Sequence, residues 1–182
     1  MATRRRTRDE MPAEHALLGL LAQSTGSRHG YDLAREFQSG SELGEVIRLE
    51  PGMLYHHLKK MERAGWVTSH QEVVERRPAR SVYALTLAGE AELDRWMSEP
   101  VGHTREIRLA FLVKLYLARQ TDSALAERLI REQIATLGEI ETTHLTDANG
   151  GDFSAAVRAL RLAQTRTALA WLRTLLTESQ SR

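Results

Sequence analysis

The stretch PGMLYHHLKKMERAGWV, Pro51 to Val67, limits the possible folds of this chain more tightly than any other. Pro51 suits the first position of a helix, where its missing N–H is one of the orphan donors, and Gly65 stands where a helix needs a left-handed stop. That frames about four turns. Inside the frame Met53, Leu54, Leu58 and Met61 recur at helical spacing and can face a core, while Tyr55, His56, Lys59, Lys60 and Arg63 crowd the other side. A short helix with a basic, aromatic face, followed at once by a hydrophobic turn and a strand, reads as the second helix of a helix-turn-helix, the one that enters the DNA major groove. Taken alone, the segment is equally readable as an ordinary solvated helix face.

The neighbouring segments decide in favour of the first reading. Upstream, Ala16, Leu17, Leu18, Leu20 and Leu21 make Pro12 to Gln23 a helix that is apolar over much of its circumference, as suits the centre of a compact domain. Ser24 to Gly30 is a polar connection. Tyr31, Leu33, Ala34 and Phe37 then form a shorter helix, and the acidic segment from Gly40 to Glu50 reads as a loop with a short strand at Val46 to Leu49. Downstream, Trp66 opens a run of alternating residues, and Ser81 to Leu85 answers it across VERRPARS, where Pro78 breaks the strands. The result is a hairpin whose turn carries Arg76, Arg77 and Arg80. Thr86 is placed to cap a helix from Leu87 to Met97, with Gly89 allowing close backbone packing near its first turn. Pro100 and Gly102 then interrupt the chain.

Beyond the interruption no strand signal remains. Long amphipathic helices are expected over Arg105 to Ala118, Asp122 to Leu145 and, after the turn DANGGD, Phe153 to Thr177. The last carries two stripes: Phe153, Val157 and Leu160, and then Leu162, Leu169, Leu172 and Leu176, with Thr165 completing a heptad-like seam. Three such helices carry more apolar surface than they bury among themselves, so a second copy of the chain is expected to cover the excess. Leu109, Leu112, Tyr116, Leu162, Leu169, Trp171, Leu172 and Leu176 are the candidate dimerisation residues.

Charge and composition narrow the function. The chain of 182 residues has a formal net charge of +1, so DNA affinity has to come from local clusters: Arg4, Arg5, Arg6 and Arg8 in a basic arm, the cations of the Pro51 helix, and the hairpin arginines. With no cysteine, disulfides, thiolate zinc sites and a cysteine nucleophile are excluded. His56 and His57 are adjacent on a helix and point about 100° apart, and the other histidines lack ligand spacing, so no metal is expected. No GxSxG, P-loop, HExxH or dinucleotide fingerprint occurs, so neither catalysis nor a cofactor is expected. No apolar run reaches the ~20 residues that span a bilayer, and the charged N-terminus lacks a secretory core; a cytoplasmic protein is expected.

The expected fold is mostly α with a small β-hairpin: a basic arm over residues 1–10, a winged helix-turn-helix over 11–98, and a three-helix dimerisation domain over 99–182. HALLGLLA (His15 to Ala22), HGYDL (His29 to Leu33), PGMLYHHLKKMERAGWV and RSVYALTLAGEAELDRW (Arg80 to Trp96) resemble, in order and spacing, the PadR family of bacterial transcriptional regulators. The helical tail resembles the dimerisation region of the larger PadR-like proteins in pattern and length. The resemblance implies a homodimer that binds an inverted-repeat operator in double-stranded DNA, represses transcription, and is released by a small aromatic or drug-like effector. Carried over residue by residue, Tyr55 matches the tyrosine of the family's recognition helix, and Gly30 and Tyr31 match its glycine–tyrosine pair. Met53 and His56 stand where the family more often has threonine and proline, so the operator sequence does not carry over.

The candidate DNA-binding residues are Tyr31, Met53, Tyr55, His56, His57, Lys59, Lys60, Arg63, Arg76, Arg77 and Arg80. Trp96 and Trp171 are candidate ligand contacts, with core or interface packing as the competing role for each. A protein-interaction adaptor, using the same winged domain and tail without specific DNA binding, is the alternative from another functional class.

Overall fold

A computed structural model describes residues 12–24, 26–72, 80–146 and 151–180. The chain divides into two compact units between Trp96 and Met97. The first contains α1 (Ala13–Ala22), β1 (Ser27–His29), α2 (Gly30–Arg35), α3 (Glu42–Val46), α4 (Pro51–Arg63), β2 (Val67–Glu72), β3 (Arg80–Leu85) and most of α5 (Leu87–Ser98). The strands form one antiparallel sheet in the order β1-β3-β2. Helices on a small sheet with a β2–β3 hairpin make this a winged helix-turn-helix.

Two details depart from the sequence expectations. The polar connection after α1 contains a strand: β1 pairs Arg28 with Tyr83 and His29 with Val82 on β3. Three residues between glycines carry too little alternation to signal it. The strand expected at Val46 to Leu49 does not form: Val46 ends the helix α3, and residues 47–50 carry no regular structure. Ser41 caps α3, its Oγ accepting from the Gly44 N–H at 3.0 Å, and Ile47 and Leu49 leave the helix as buried extended residues. A Cβ on Gly44 would stand 2.0 Å from the Gln38 carbonyl oxygen, so this corner requires glycine.

The core of the unit forms around α1, whose residues from Ala13 to Leu21 are all buried. Leu33, Phe37, Leu43, Leu54, Leu58, Met61, Val67, Val82 and Trp96 close around it. The end of α4 is a Schellman cap: the Gly65 N–H bonds to the Glu62 carbonyl and the Trp66 N–H to the Met61 carbonyl, each at 3.0 Å, with Gly65 at φ 75°. Thr86 ties the next helix to this corner. Its hydroxyl donates to the Gly65 carbonyl at 2.7 Å and accepts from the Gly89 N–H at 3.1 Å. Gly89 packs as closely as expected: a Cβ there would lie 2.1 Å from the Trp66 carbonyl oxygen.

The second unit is helical, with α6 (Thr104–Glu106), a π-helical turn (Ile107–Phe111), α7 (Leu112–Thr121), α8 (Ser123–Thr146) and α9 (Asp152–Gln180). Val101, Ile107, Phe111, Leu115, Ala118, Leu129, Ile130, Leu137, Leu169 and Leu172 form its core. The segment entering the unit is held by two buried polar side chains. Gln133 accepts from the Val101 N–H at 2.8 Å and donates to its carbonyl at 3.0 Å, and Lys114 donates to the Glu99 carbonyl. No described helix is long and apolar enough to cross a membrane.

Candidate nucleic-acid interface

Four side chains of α4 go inward: Leu54, His57, Leu58 and Met61 are buried. The 3.6-residue period then sends Met53, Tyr55, His56, Lys59 and Arg63 outward. Met53, which by spacing alone was able to face the core, is 50% exposed, and Tyr55 is 40% exposed. Arg63 lies along the helix, its Nε donating to the Lys59 carbonyl at 3.2 Å.

Tyr55 connects α4 to α2 and the sheet. A Cβ on Gly30 would meet Tyr55 Cε1 at 2.8 Å and Tyr83 Cε2 at 3.2 Å, so glycine here lets two tyrosine rings approach the start of α2. Next to it Tyr31 is 67% exposed. The glycine–tyrosine pair therefore brings the start of α2 against Tyr55 of α4, with Tyr31 exposed next in sequence. Burial raises the pKa of Tyr83, with the neighbouring Tyr55 and Glu62 acting in the same direction and a Ser81 hydrogen bond opposing, so Tyr83 keeps a neutral hydroxyl there. Glu62, the acidic residue near the end of α4, is bound by the Ser69 hydroxyl of β2 at 2.6 Å.

Two expected DNA-binding residues are engaged elsewhere. His57 is buried, and its Nδ1 lies 3.0 Å from Oε1 of Glu14 on α1. Lys60 donates from Nζ to the same oxygen at 2.7 Å. Counting basic residues on α4 overlooked that its partner helix α1 buries a carboxylate. A signal was present: a glutamate within a helix apolar nearly all round has to find a counter-charge. Arg80 is exposed at the start of β3, opposite Glu72 in the register. Arg76 and Arg77, like the arm arginines, lie outside the described residues.

The tryptophans also separate. Trp96 is buried and stacks on His15 with ring centroids 4.5 Å apart, while His15 Nε2 lies 3.0 Å from Glu92 Oε1. It is a core residue, the competing role expected for it. The Arg95 guanidinium holds the Glu92 carboxyl below the usual carboxylate range, with burial opposing and His15 assisting. Trp171 is half-buried and meets Phe111 edge-on at 6.1 Å.

Of the candidate dimerisation residues, Leu169 and Leu172 are buried within the protomer, in the core shared by α7, α8 and α9, and so are taken by intrachain packing. Leu109, Leu112, Tyr116, Leu162, Trp171 and Leu176 are half-buried. The other stripe of α9 is the open one: Phe153 is 83% and Leu160 60% exposed, and Leu145 on α8 is exposed as well. Among the described residues no group of three or more His, Asp or Glu side chains gathers as a metal site would require.

Residues 17–95, from within α1 to the last turn of α5, match the Transcriptional regulator PadR-like family. This segment of the chain is PadR-like. The chain is 32% identical over 130 residues to a probable transcriptional regulator of Mycobacterium tuberculosis (strain ATCC 25618 / H37Rv), which covers 71% of this chain; the chain spans 62% of that relative. It is 28% identical over 137 residues to the negative transcriptional regulator PadR of Bacillus subtilis (strain 168), with 72% of each chain covered. The crystal structure of Bacillus subtilis PadR in complex with operator DNA aligns over 90% of this chain and 97% of that one, at 22% identity and a TM-score of 0.46. The PadR-like match covers all three strands, α4 and the Gly30–Tyr55 contact.

Proposed function

We propose that this PadR-like chain is a sequence-specific DNA-binding regulator that acts as a homodimer and represses transcription. The outward face of α4 carries this reading, because Met53, Tyr55, His56, Lys59 and Arg63 project from a helix fixed at both ends while Tyr31 is exposed at the start of α2. Methyl and aromatic groups read thymine methyls, and cations hold phosphates. Residues 11–98 form the DNA-binding domain in this reading, and Arg76, Arg77 and Arg80 of the wing reach the flanking backbone. Repression is the sign of regulation we favour, since the Bacillus relative is a negative regulator.

Residues 99–182 form the dimerisation domain. The exposed stripe of Phe153 and Leu160 is an apolar face that a second copy covers, and half-buried Leu109, Leu112 and Tyr116 offer further contact. Two winged domains related by a two-fold axis then meet half-sites about one helical turn, or a multiple of one, apart. A small aromatic effector relieves repression in this scheme, and quenching of Trp171 fluorescence on titration would report its binding.

The test is selection of bound sequences from random DNA, followed by gel shifts. An inverted repeat is expected, with Tyr55→Ala and Lys59→Ala both weakening binding to it. Wild-type affinity in both variants would remove α4 from the groove. Replacing Arg76, Arg77 and Arg80 together should weaken binding to all sequences alike and flatten its salt dependence.

A further inference from the structure

Lys59 and Lys60 are neighbours in sequence and both exposed, yet the helix turns them about 100° apart and Lys60 alone meets a buried carboxylate. Lys59 is exposed on the outward face. The ammonium of Lys60 sits 2.7 Å from Oε1 of Glu14, a carboxylate whose side chain is only 3% exposed. His57 Nδ1 approaches the same oxygen at 3.0 Å. Resting on the proposal that α4 lies in the groove, we infer that Glu14 is a specificity-setting residue: it withholds Lys60 from DNA phosphate and so limits sequence-independent affinity.

The relative size of two effects carries this. For Lys60 to reach a phosphate it must leave Glu14, and the buried carboxylate then loses its ammonium and keeps only its contact with His57. Stripping the ammonium from a carboxylate whose side chain is 3% exposed outweighs the gain from one solvent-accessible phosphate contact. Lys60 therefore stays bound to Glu14 when α4 meets DNA, and the helix presents one cation fewer than its sequence carries. A reduced charge on the reading helix leaves more of the binding energy to base-edge contacts, which is how discrimination against random DNA is gained.

The experiment measures the slope of log affinity against log salt concentration on a random-sequence duplex for the full chain and three variants. Lys59→Met should flatten the slope by about 0.9, one phosphate contact. Lys60→Met should leave the slope as it is in the wild type. Glu14→Gln, which keeps hydrogen-bond capacity but removes the charge, should free Lys60, steepen the slope by about 0.9 and raise affinity for random DNA. Flattening by Lys60→Met equal to that of Lys59→Met would overturn the inference, as would an unchanged slope in a folded Glu14→Gln protein. If Glu14→Gln does not fold, judged by circular dichroism, the Lys60→Met slope alone decides. A wild-type slope near zero, or a Lys59→Met variant identical to wild type, would instead overturn the placement of α4 on DNA.

Discussion

Short elements in the N-terminal unit are pinned by polar contacts between distant parts of the chain: Glu14 to His57 and Lys60, His15 to Glu92, Thr86 to Gly65. The C-terminal helices instead meet along apolar seams, with Thr165, Leu169 and Leu172 of α9 buried and Phe153 and Leu160 of the same helix in the open. The difference shows two ways in which a chain leaves a surface for function. In the first unit the exposed face of α4 is polar and aromatic, and it is defined by which charges the interior has already taken. In the second the exposed stripe of α9 is apolar, and it is defined by how much hydrophobic surface the chain's own helices leave uncovered.

The largest expected effect lies within α9. Leu172→Ala should cost about 2–5 kcal/mol of stability in denaturant unfolding, because it opens a cavity in a packed core. Leu160→Ala should change unfolding of the protomer by no more than about 0.5 kcal/mol while weakening self-association measured by sedimentation. Equal effects of the two would mean that the stripes are not divided between interior and partner. Next, Tyr55→Ala is expected to lower operator affinity at least about tenfold, or ~1.4 kcal/mol, with thermal unfolding little changed. Gly30→Ala should have a smaller effect in the same assay, since its methyl displaces the Tyr55 ring without removing it; an affinity equal to wild type would show that the ring position does not matter.

The smallest effect concerns acid stability. The folded pKa of Glu92 lies below its unfolded value, so its contribution is fully present above the unfolded pKa and is lost as pH falls through the folded one. Glu92→Gln should therefore reduce stability at neutral pH and narrow the gap from wild type as the solution is acidified through the carboxylate range. A gap independent of pH would assign the role of Glu92 to packing alone.

Much of the fold was legible because periodicity and punctuation agree. Pro51 and Gly65 bracket α4 where expected, Thr86 caps α5, and the alternating run after Trp66 pairs with the strand before Thr86. Local signals of this kind depend on backbone geometry that neighbours along the chain impose. β1 and α3 were not legible: each is too short for a periodic pattern, and each exists because the surrounding structure offers a partner, β3 for one and the Gln38–Ser41 corner for the other.

Helical spacing and caps, which act within one segment, made most of the element types and the outward placement of Tyr55, His56, Lys59 and Arg63 readable from the sequence. Only the tertiary structure decided that Lys60 and His57 belong to Glu14, that Trp96 belongs to His15, and that Leu169 and Leu172 serve the protomer's own core. Each of these depends on a partner tens of residues away, and a one-dimensional pattern of charge or hydrophobicity records what a side chain requires without recording which group meets it.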